Sequence, residues 1–362
     1  MTGDPERLAF EAACAAAGVR LPLPHRAAWA LARRGVESRW VPLRAGGARG
    51  AGEAGEGRCE GAFAVDVSRS RTLPGFRVLR VDRFGEALPE ALWPAAVGAL
   101  ARLARREPRV QRLSVEVFSR DADTRTRLGE LLSRAGFARA ATCRHWGTTA
   151  VVELGPTEDA LLAAFRPSAR QAIRSVGKFP VQVRPVDDAM SATRLAALSS
   201  ESFARNGARY EALWDWAGVI ELSRRAPDAT RLVGLFRTDR EGPDALLGFV
   251  WGWWNGRSVS YFAGASSRPS DLRRVQIGYP LVWDLIVWAK RGGAAWFDLG
   301  GVTPGTAGSG DPVGGISDFK RHFSSEIAAV AEDWVLDPQP AITRLAALAS
   351  RGVAWLSRVA RR

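Results

Sequence analysis

Leu246-Leu-Gly-Phe-Val-Trp-Gly-Trp-Trp254, Asn255-Gly256, Ser258-Val-Ser-Tyr-Phe-Ala-Gly264, then Gln276 to Arg291 and Ala295-Trp-Phe-Asp-Leu299, together decide the fold class. Asn255-Gly256 between two apolar runs is a strong hairpin signal, because both residues tolerate the positive φ of a type I′ turn. Gln276 to Arg291 is apolar nearly all round and reads as a buried helix. Ala295 to Leu299 is a short strand ending on Gly300-Gly301, followed by a mobile Gly, Pro and Ser loop to Gly315. A strand pair, a buried helix and a further strand is an α/β pattern.

Working outward, Arg231 to Phe236 precedes the hairpin as another strand, and Thr148-Thr-Ala-Val-Val-Glu153 opens the second half. A helix is expected over Glu158 to Val176, a strand over Val181 to Pro185, and helices over Ala189 to Phe203 and Tyr210 to Arg224. In the first half a helical start and an extended run, Trp40 to Leu43, precede a Gly, Ala and Glu tract from Ala45 to Gly61 that reads as an exposed loop. Phe76 to Val81 and Val110 to Phe118 read as strands, and Leu88 to Arg106 and Thr124 to Ala135 as helices, the latter stopped by Gly136. Each half places strands before a helix and a further strand, as two similar domains would. The expected division is 1–147, 148–335 and a C-terminal amphipathic helix over 336–362.

The chain has 362 residues, 51 Lys and Arg against 38 Asp and Glu, and a formal charge of +13. With 46% hydrophobic residues, 14 Trp and 15 Phe, it has material for more than one core and is not a disordered chain. Three cysteines and three histidines are too few and too scattered for a disulfide framework or a metal cluster, so no metal is expected. No signal peptide or transmembrane segment is read, and a cytoplasmic monomer is expected. The positive balance suits an anionic partner; the Arg-rich, Lys-poor, Ala-rich bias is equally what a GC-rich genome encodes.

Several common chemistries lack their motifs. The sequence has no G-x-x-x-x-G-K-[ST], no G-x-G-x-x-G after a strand, no H-E-x-x-H and no G-x-S-x-G. Arg166, Arg170, Arg174 and Lys178 recur every four residues and share a helix face that would bind phosphates if it lined a groove; a solvated face explains the stripe as well. The second constellation is Trp296-Phe-Asp298-Leu-Gly300-Gly301, a loop, then Asp318-Phe319-Lys320-Arg-His322-Phe323. Two glycines after a strand let a substrate approach the backbone, and Phe319-Lys320 puts an aromatic wall beside a cation.

In that order these motifs resemble the FemABX family, aminoacyltransferases that build peptidoglycan cross-bridges. The resemblance rests on Thr148 to Phe165, Arg170 to Val183, Ser202-Phe-Ala-Arg205-Asn-Gly207, Tyr261-Phe-Ala-Gly-Ala265, Trp296 to Gly301 and Asp318 to Phe323, and more loosely on Trp29-Ala-Leu-Ala-Arg33. It implies two tandem domains of the acetyltransferase (GNAT-like) type, mixed sheets flanked by helices, with the catalytic cleft on the second. The implied reaction moves an aminoacyl group from aminoacyl-tRNA to an amine of a UDP- or lipid-linked cell-wall precursor. By position, Arg33 and Arg205 would hold precursor phosphates, Tyr261 would line the cavity, and Phe319 and Lys320 would sit at the acyl-donor end. Arg33 replaces the family's usual Lys, Ser202 its Thr, and Ser324 its Gly.

Aminolysis of an activated ester needs positioning, a route for a proton and oxyanion stabilisation, without a bound cofactor. Lys320 suits the oxyanion or the donor's 3′ end, and Asp298 the proton, although a carboxylate there equally suits the following Gly-Gly turn. His322 is a further candidate. The expected site is therefore Lys320, Asp298 and Tyr261 for catalysis, with Arg33, Arg170, Arg174, Lys178, Arg205, Phe319, Gly300 and Gly301 for binding. A second reading is an acyl-CoA-dependent N-acyltransferase acting on a polysaccharide, lipid or amino-sugar amine. Against it, Arg273-Arg-Val-Gln-Ile-Gly278-Tyr-Pro280 lacks the usual Gln/Arg-x-x-Gly-x-Gly/Ala phosphate loop, and Pro280 removes a backbone donor. A third is a non-catalytic RNA- or membrane-binding protein, with residues 341–362 as a basic amphipathic helix resting on the inner face of the membrane.

Overall fold

The computed structural model describes residues 4–33, 35–44, 59–205 and 214–343. In chain order the elements are α1 (Pro5–Ala16), β1 (Glu37–Arg44), β2 (Cys59–Arg69), β3 (Arg77–Gly85), α2 (Trp93–Arg106), β4 (Val110–Phe118), α3 (Ala122–Arg134) and β5 (Ala138–Arg139). There follow β6 (Thr148–Glu153), α4 (Glu158–Ala164), α5 (Pro167–Ser175), β7 (Val181–Pro185), α6 (Ser191–Arg205), α7 (Trp216–Arg225), β8 (Thr230–Arg237) and β9 (Leu246–Asn255). The last are β10 (Ser258–Ser266), α8 (Gly278–Arg291), β11 (Trp296–Gly301), α9 (Gly314–Arg321), β12 (Ile327–Ala329) and β13 (Ala331–Leu336). The expected final helix lies almost wholly in 344–362, outside the described residues, as do 45–58 of the expected loop and 210–213 of the helix expected from Tyr210.

The chain forms two compact units, and neither is a single stretch of sequence. The first comprises 1–10, 35–144 and 331–362; the second comprises 11–34 and 145–330. Compared with linear boundaries at 147/148 and 335/336, residues 11–34 join the second unit and β13 joins the first. Trp29 explains the first difference: it is buried with Trp251 and Trp253, its ring centroid 4.9 Å from that of Trp253. Edge pairing explains the second, because β13 lies antiparallel to β4 over six residue pairs from Ala331↔Phe118 to Leu336↔Leu113.

Both units are mixed α/β. The first sheet has the order β1-β2-β3-β4-β13-β5, and its one parallel neighbour pair, β3 and β4, is joined through α2. The second has the order β12-β6-β11-β10-β9-β8-β7; β10 and β11 are its parallel pair, joined through α8. A parallel pair needs such a crossover, which commits a helix to one sheet face.

β9 is buried along its whole length because both faces of the second sheet are covered. Leu247, Val250 and Trp254 pack with Leu285 and Ile286 of α8, whereas Phe249, Trp251 and Trp253 pack with Trp216, Val219 and Trp29. Trp29 and Trp251 are among the largest fully buried side chains, and truncating either to Ala costs about 3–5 kcal/mol.

Two local expectations change. The helix expected over Glu158 to Val176 is broken into α4 and α5, because Pro167 forces Arg166 into extended backbone with ψ 150°. The β9–β10 hairpin pairs Asn255 with Ser258, so its loop is Gly256-Arg257 rather than Asn255-Gly256. Gly256 has φ +57° and Arg257 has no positive φ, the pattern of a type II′ turn with Gly first. Asn255 instead turns its side chain inward.

Candidate active site

β10 and β11 pair through only three positions, Ser258↔Trp296, Val259↔Phe297 and Ser260↔Asp298. Beyond them β10 runs on along β9 to Ser266, with a bulge at Tyr261/Ala263, and β11 along β6 to Gly301, with a shift between Asp298 and Gly301. The strands part at the carboxyl end of a parallel pair, where open α/β sheets take ligands. Gly300, at φ +78°, makes the turn that ends β11.

A buried polar cluster sits at the fork. Asp298, 3% exposed, accepts hydrogen bonds from Thr149 Oγ1, from Ser260 Oγ at 2.7 Å and from the Gly300 N–H at 2.7 Å. Asn255 Nδ2 donates to Ser260 Oγ at 2.8 Å, extending the chain to the hairpin. Asp298 thus organises the Gly-Gly turn, the structural alternative considered for it, and both of its oxygens accept from donors of the surrounding strands and turn.

α9 returns Lys320 to the same place. Its Nζ donates to Gly301 O at 2.7 Å, and the residue is 6% exposed. Burial pushes the ammonium pKa down from 10.5 to about 8, against the opposing pull of Asp298. Gly300 suits its φ of +78°, and a Cβ there would lie 3.1 Å from Lys320 Nζ, close enough to press on the ammonium. The Tyr261 ring centroid lies 5.9 Å from Nζ, and burial pushes its hydroxyl up to about 12. Trp146, 49% exposed, lies on Gly301 so closely that a Cβ there would overlap the indole.

Phe319 packs on Gly278 at the start of α8, where a Cβ would lie 3.0 Å from its ring, and on Tyr279 at 4.9 Å between centroids. His322 Nδ1 lies 2.6 Å from the Tyr279 hydroxyl and 3.2 Å from Ser168 Oγ. Burial and then Arg166 lower the His322 pKa, favouring the neutral ring. The loop after β11, expected to be mobile, is braced onto α9. Ser317 Oγ accepts from Thr303 N at 2.9 Å, Arg321 donates to Thr303 O and to Gly305 O, and Asp318 accepts from Ala307 N at 2.8 Å.

The basic stripe divides by role. Arg170 Nη1 donates to the carbonyls of Ala163, at 3.0 Å, and Phe165, capping the end of α4. Arg174 and Lys178 are exposed and, with Pro167, Arg170, Gln171 and Ser175, line an open groove of about 400 Å³. The start of α5 is tied to the end of α9 by Arg166 N–H to His322 O, 2.9 Å, and by Ser168.

Arg33 and Arg205 stand outside the Lys320–Asp298 cluster. Arg33 lies over Trp214 and Trp29, its guanidinium 5.3 and 5.7 Å from the ring centroids. Arg205 ends α6 and donates to Ser266 O at the end of β10. In the first unit a cavity of about 490 Å³ contains Arg112, Arg139 and Arg144, but these are paired with Asp337, Glu332 and Asp333.

Thr149, Ser260, Asn255, Trp146 and Tyr279 contact the candidate residues, Asn255 by way of Ser260, but were not expected there. Ser260 carried a signal, a hydroxyl inside an apolar strand next to the parallel partner; Trp146 carried none, because its contact is with a glycine 155 positions away.

Comparison with known proteins agrees with this architecture. Residues 163–321 match the acetyltransferase (GNAT) domain model. No curated protein matches the chain. Among solved structures, the crystal structure of FemX superposes with a TM-score of 0.66 at 14% identity, covering 89% of this chain and 94% of that one. L-PGS from Bacillus licheniformis gives 0.48 at 12% identity, covering 80% and 86%. A tandem GNAT protein from the clavulanic acid biosynthesis pathway gives 0.46 at 13%, covering 92% and 94%. The fold is thus FemX-like.

Proposed function

We propose that the second unit is an acyltransferase that moves an aminoacyl group from aminoacyl-tRNA to an amine of a phosphate-bearing peptidoglycan or cell-envelope precursor. The observation that carries this reading is the fork between β10 and β11, with Lys320, Asp298, Gly300 and Gly301 gathered at its apex. An acyl carbonyl lying in the fork reaches the Lys320 ammonium as oxyanion charge develops. Phe319 walls the donor end. Arg174 and Lys178, exposed along the groove, offer cations to the donor's phosphates, while Arg33 and Arg205 are proposed to meet those of the acceptor. The family that the sequence motifs resemble performs this chemistry, and the FemX-like fold supports the reading.

The test is a transfer assay with purified full-length protein and an amine-bearing UDP- or lipid-linked peptidoglycan precursor, comparing charged tRNA with acetyl-CoA. Product from charged tRNA, lost in Lys320→Ala, supports the reading. Product from acetyl-CoA alone moves the protein to the second reading, N-acyl transfer from acyl-CoA, which the acetyltransferase domain match favours. Among the described residues no helix is long and apolar enough to cross a membrane. Contact with a membrane face through 341–362, the cytoplasmic setting and a monomeric state belong to the same proposal.

A further inference from the structure

We propose that Lys320 is the proton-transfer residue of this site, taking a proton from the acceptor nitrogen as the neutral amine and returning it to the departing oxygen as the ammonium. The inference rests on the acyl-transfer reading above and goes beyond charge stabilisation. The C–N bond forms as the acceptor nitrogen attacks the acyl carbon, and the ester C–O bond of the donor breaks. The nitrogen's proton passes to Lys320 Nζ and then to the ester oxygen, so the lysine ends as it began and no other co-reactant is needed.

Three observations converge. Asp298 is committed to holding the turn: Oδ1 receives Thr149 Oγ1 and the Gly300 N–H, Oδ2 receives Ser260 Oγ, and the residue is buried. Lys320 Nζ has one hydrogen-bond partner among the described residues, Gly301 O, which leaves its other positions for a ligand. The third observation is compositional. The chain has only three lysines, Lys178, Lys290 and Lys320, among 51 Lys and Arg residues. An arginine would supply fixed charge in the fork; it could not deprotonate, and position 320 holds the side chain that can.

The surrounding charges agree. Asp298 from β11 steadies the ammonium once formed, and Tyr261 from β10 presents a phenol that stays protonated. On α9 itself, Asp318 and Arg321 bind each other and the loop, and His322 is engaged by Tyr279 and Ser168. Burial brings the Lys320 pKa to about 8, so both forms are populated near neutral pH.

Two measurements on full-length protein test the proposal. Lys320→Arg keeps the charge and removes the proton acceptor, so kcat should fall about 100-fold or more. Lys320→Ala should be partly restored by added methylamine or ethylamine, with Lys320→Arg unmoved by either. Transfer by Lys320→Arg within about threefold of wild type would overturn the proposal, because charge alone would then suffice. Independently, protein labelled with ε-13C lysine shows one signal for each of its three lysines. Titration of the Lys320 signal near 8 is expected, and titration near its ordinary 10.5 overturns the proposal. If the wild type transferred nothing from either donor, the acyl-transfer reading would fail and the proton-transfer role with it, whereas transfer by the wild type with a Lys320 signal titrating near 10.5 would overturn the proton-transfer role alone.

Discussion

The first unit's β3-α2-β4 and the second unit's β10-α8-β11 use one topological device and end differently. β3 and β4 remain paired through seven positions, from Arg77↔Val110 to Gly85↔Phe118, whereas β10 and β11 separate after three. At the end of β3, Gly85 is left without a Cβ because Leu128 fills the space; at the end of β11, Gly300 is left without one beside Lys320 Nζ. Both places hold a buried carboxylate. Glu116 accepts the Arg83 N–H at 3.0 Å and faces that residue's guanidinium at 3.6 Å, a pairing that closes the structure. Asp298 is met by hydroxyls and a turn N–H, and a lysine stands by. A shared crossover therefore does not by itself make a site. The proposed site lies where the sheet opens and a titratable cation is returned to the opening.

The largest effect is expected for Lys320→Ala, a loss of about 100–1,000-fold in kcat with the fold kept, read by single-turnover transfer and circular dichroism. Arg83→Ala in the first unit should leave kcat within about twofold while lowering the melting temperature, because it leaves a buried carboxylate short of a partner. Equal losses of kcat from both would erase the distinction between closed and open strand pairs.

Next comes the glycine pair. Gly300→Ala places a Cβ at φ +78° against Lys320 Nζ, so activity should drop about tenfold with a stability cost of about 1–2 kcal/mol. Gly85→Ala, at φ +107° against Leu128, should cost stability alone. Denaturant melts combined with kcat separate the two.

Asp298→Asn should act on pH dependence. Asp298 raises the Lys320 pKa against burial, so its neutralisation should move the lysine limb of the pH–rate profile below 8. The same lysine gives a stability signature with a definite sign. Between about 8 and 10.5 the unfolded chain holds the Lys320 proton and the folded chain does not, so folding stability from this group rises with pH across that window. Lys320→Met should flatten that rise in urea titrations at pH 8 and pH 10. The smallest effect is expected for Arg174→Glu with Lys178→Glu, a rise in donor KM of about fivefold at low salt that shrinks as salt is added.

Local patterning made much of the fold legible. The β9–β10 hairpin, the buried α8 and β11 follow from apolar runs, a Gly turn and a Gly-Gly stop within about 60 residues, where each signal constrains the next. The helix break at Arg166-Pro167 was present in the sequence, but the regular spacing of Arg166, Arg170, Arg174 and Lys178 masked it. Placement of 11–34 in the second unit was not legible, because Trp29 finds Trp251 and Trp253 across more than 200 positions and its own neighbours do not announce it. The site divides in the same way. Asp298, Gly300, Gly301, Phe319 and Lys320 were legible as motifs, whereas Thr149, Ser260 and Trp146 reach them from other strands and loops through contacts that no short pattern encodes.

The most direct test of the open strand pair as the seat of chemistry is a crystal structure with a hydrolysis-resistant, amide-linked aminoacyl-nucleoside. The acyl group should lie between β10 and β11 beyond Ser260 and Asp298, with its carbonyl oxygen within about 3 Å of Lys320 Nζ. An analogue bound elsewhere, with the fork empty and Lys320 still on Gly301 O, would contradict the account.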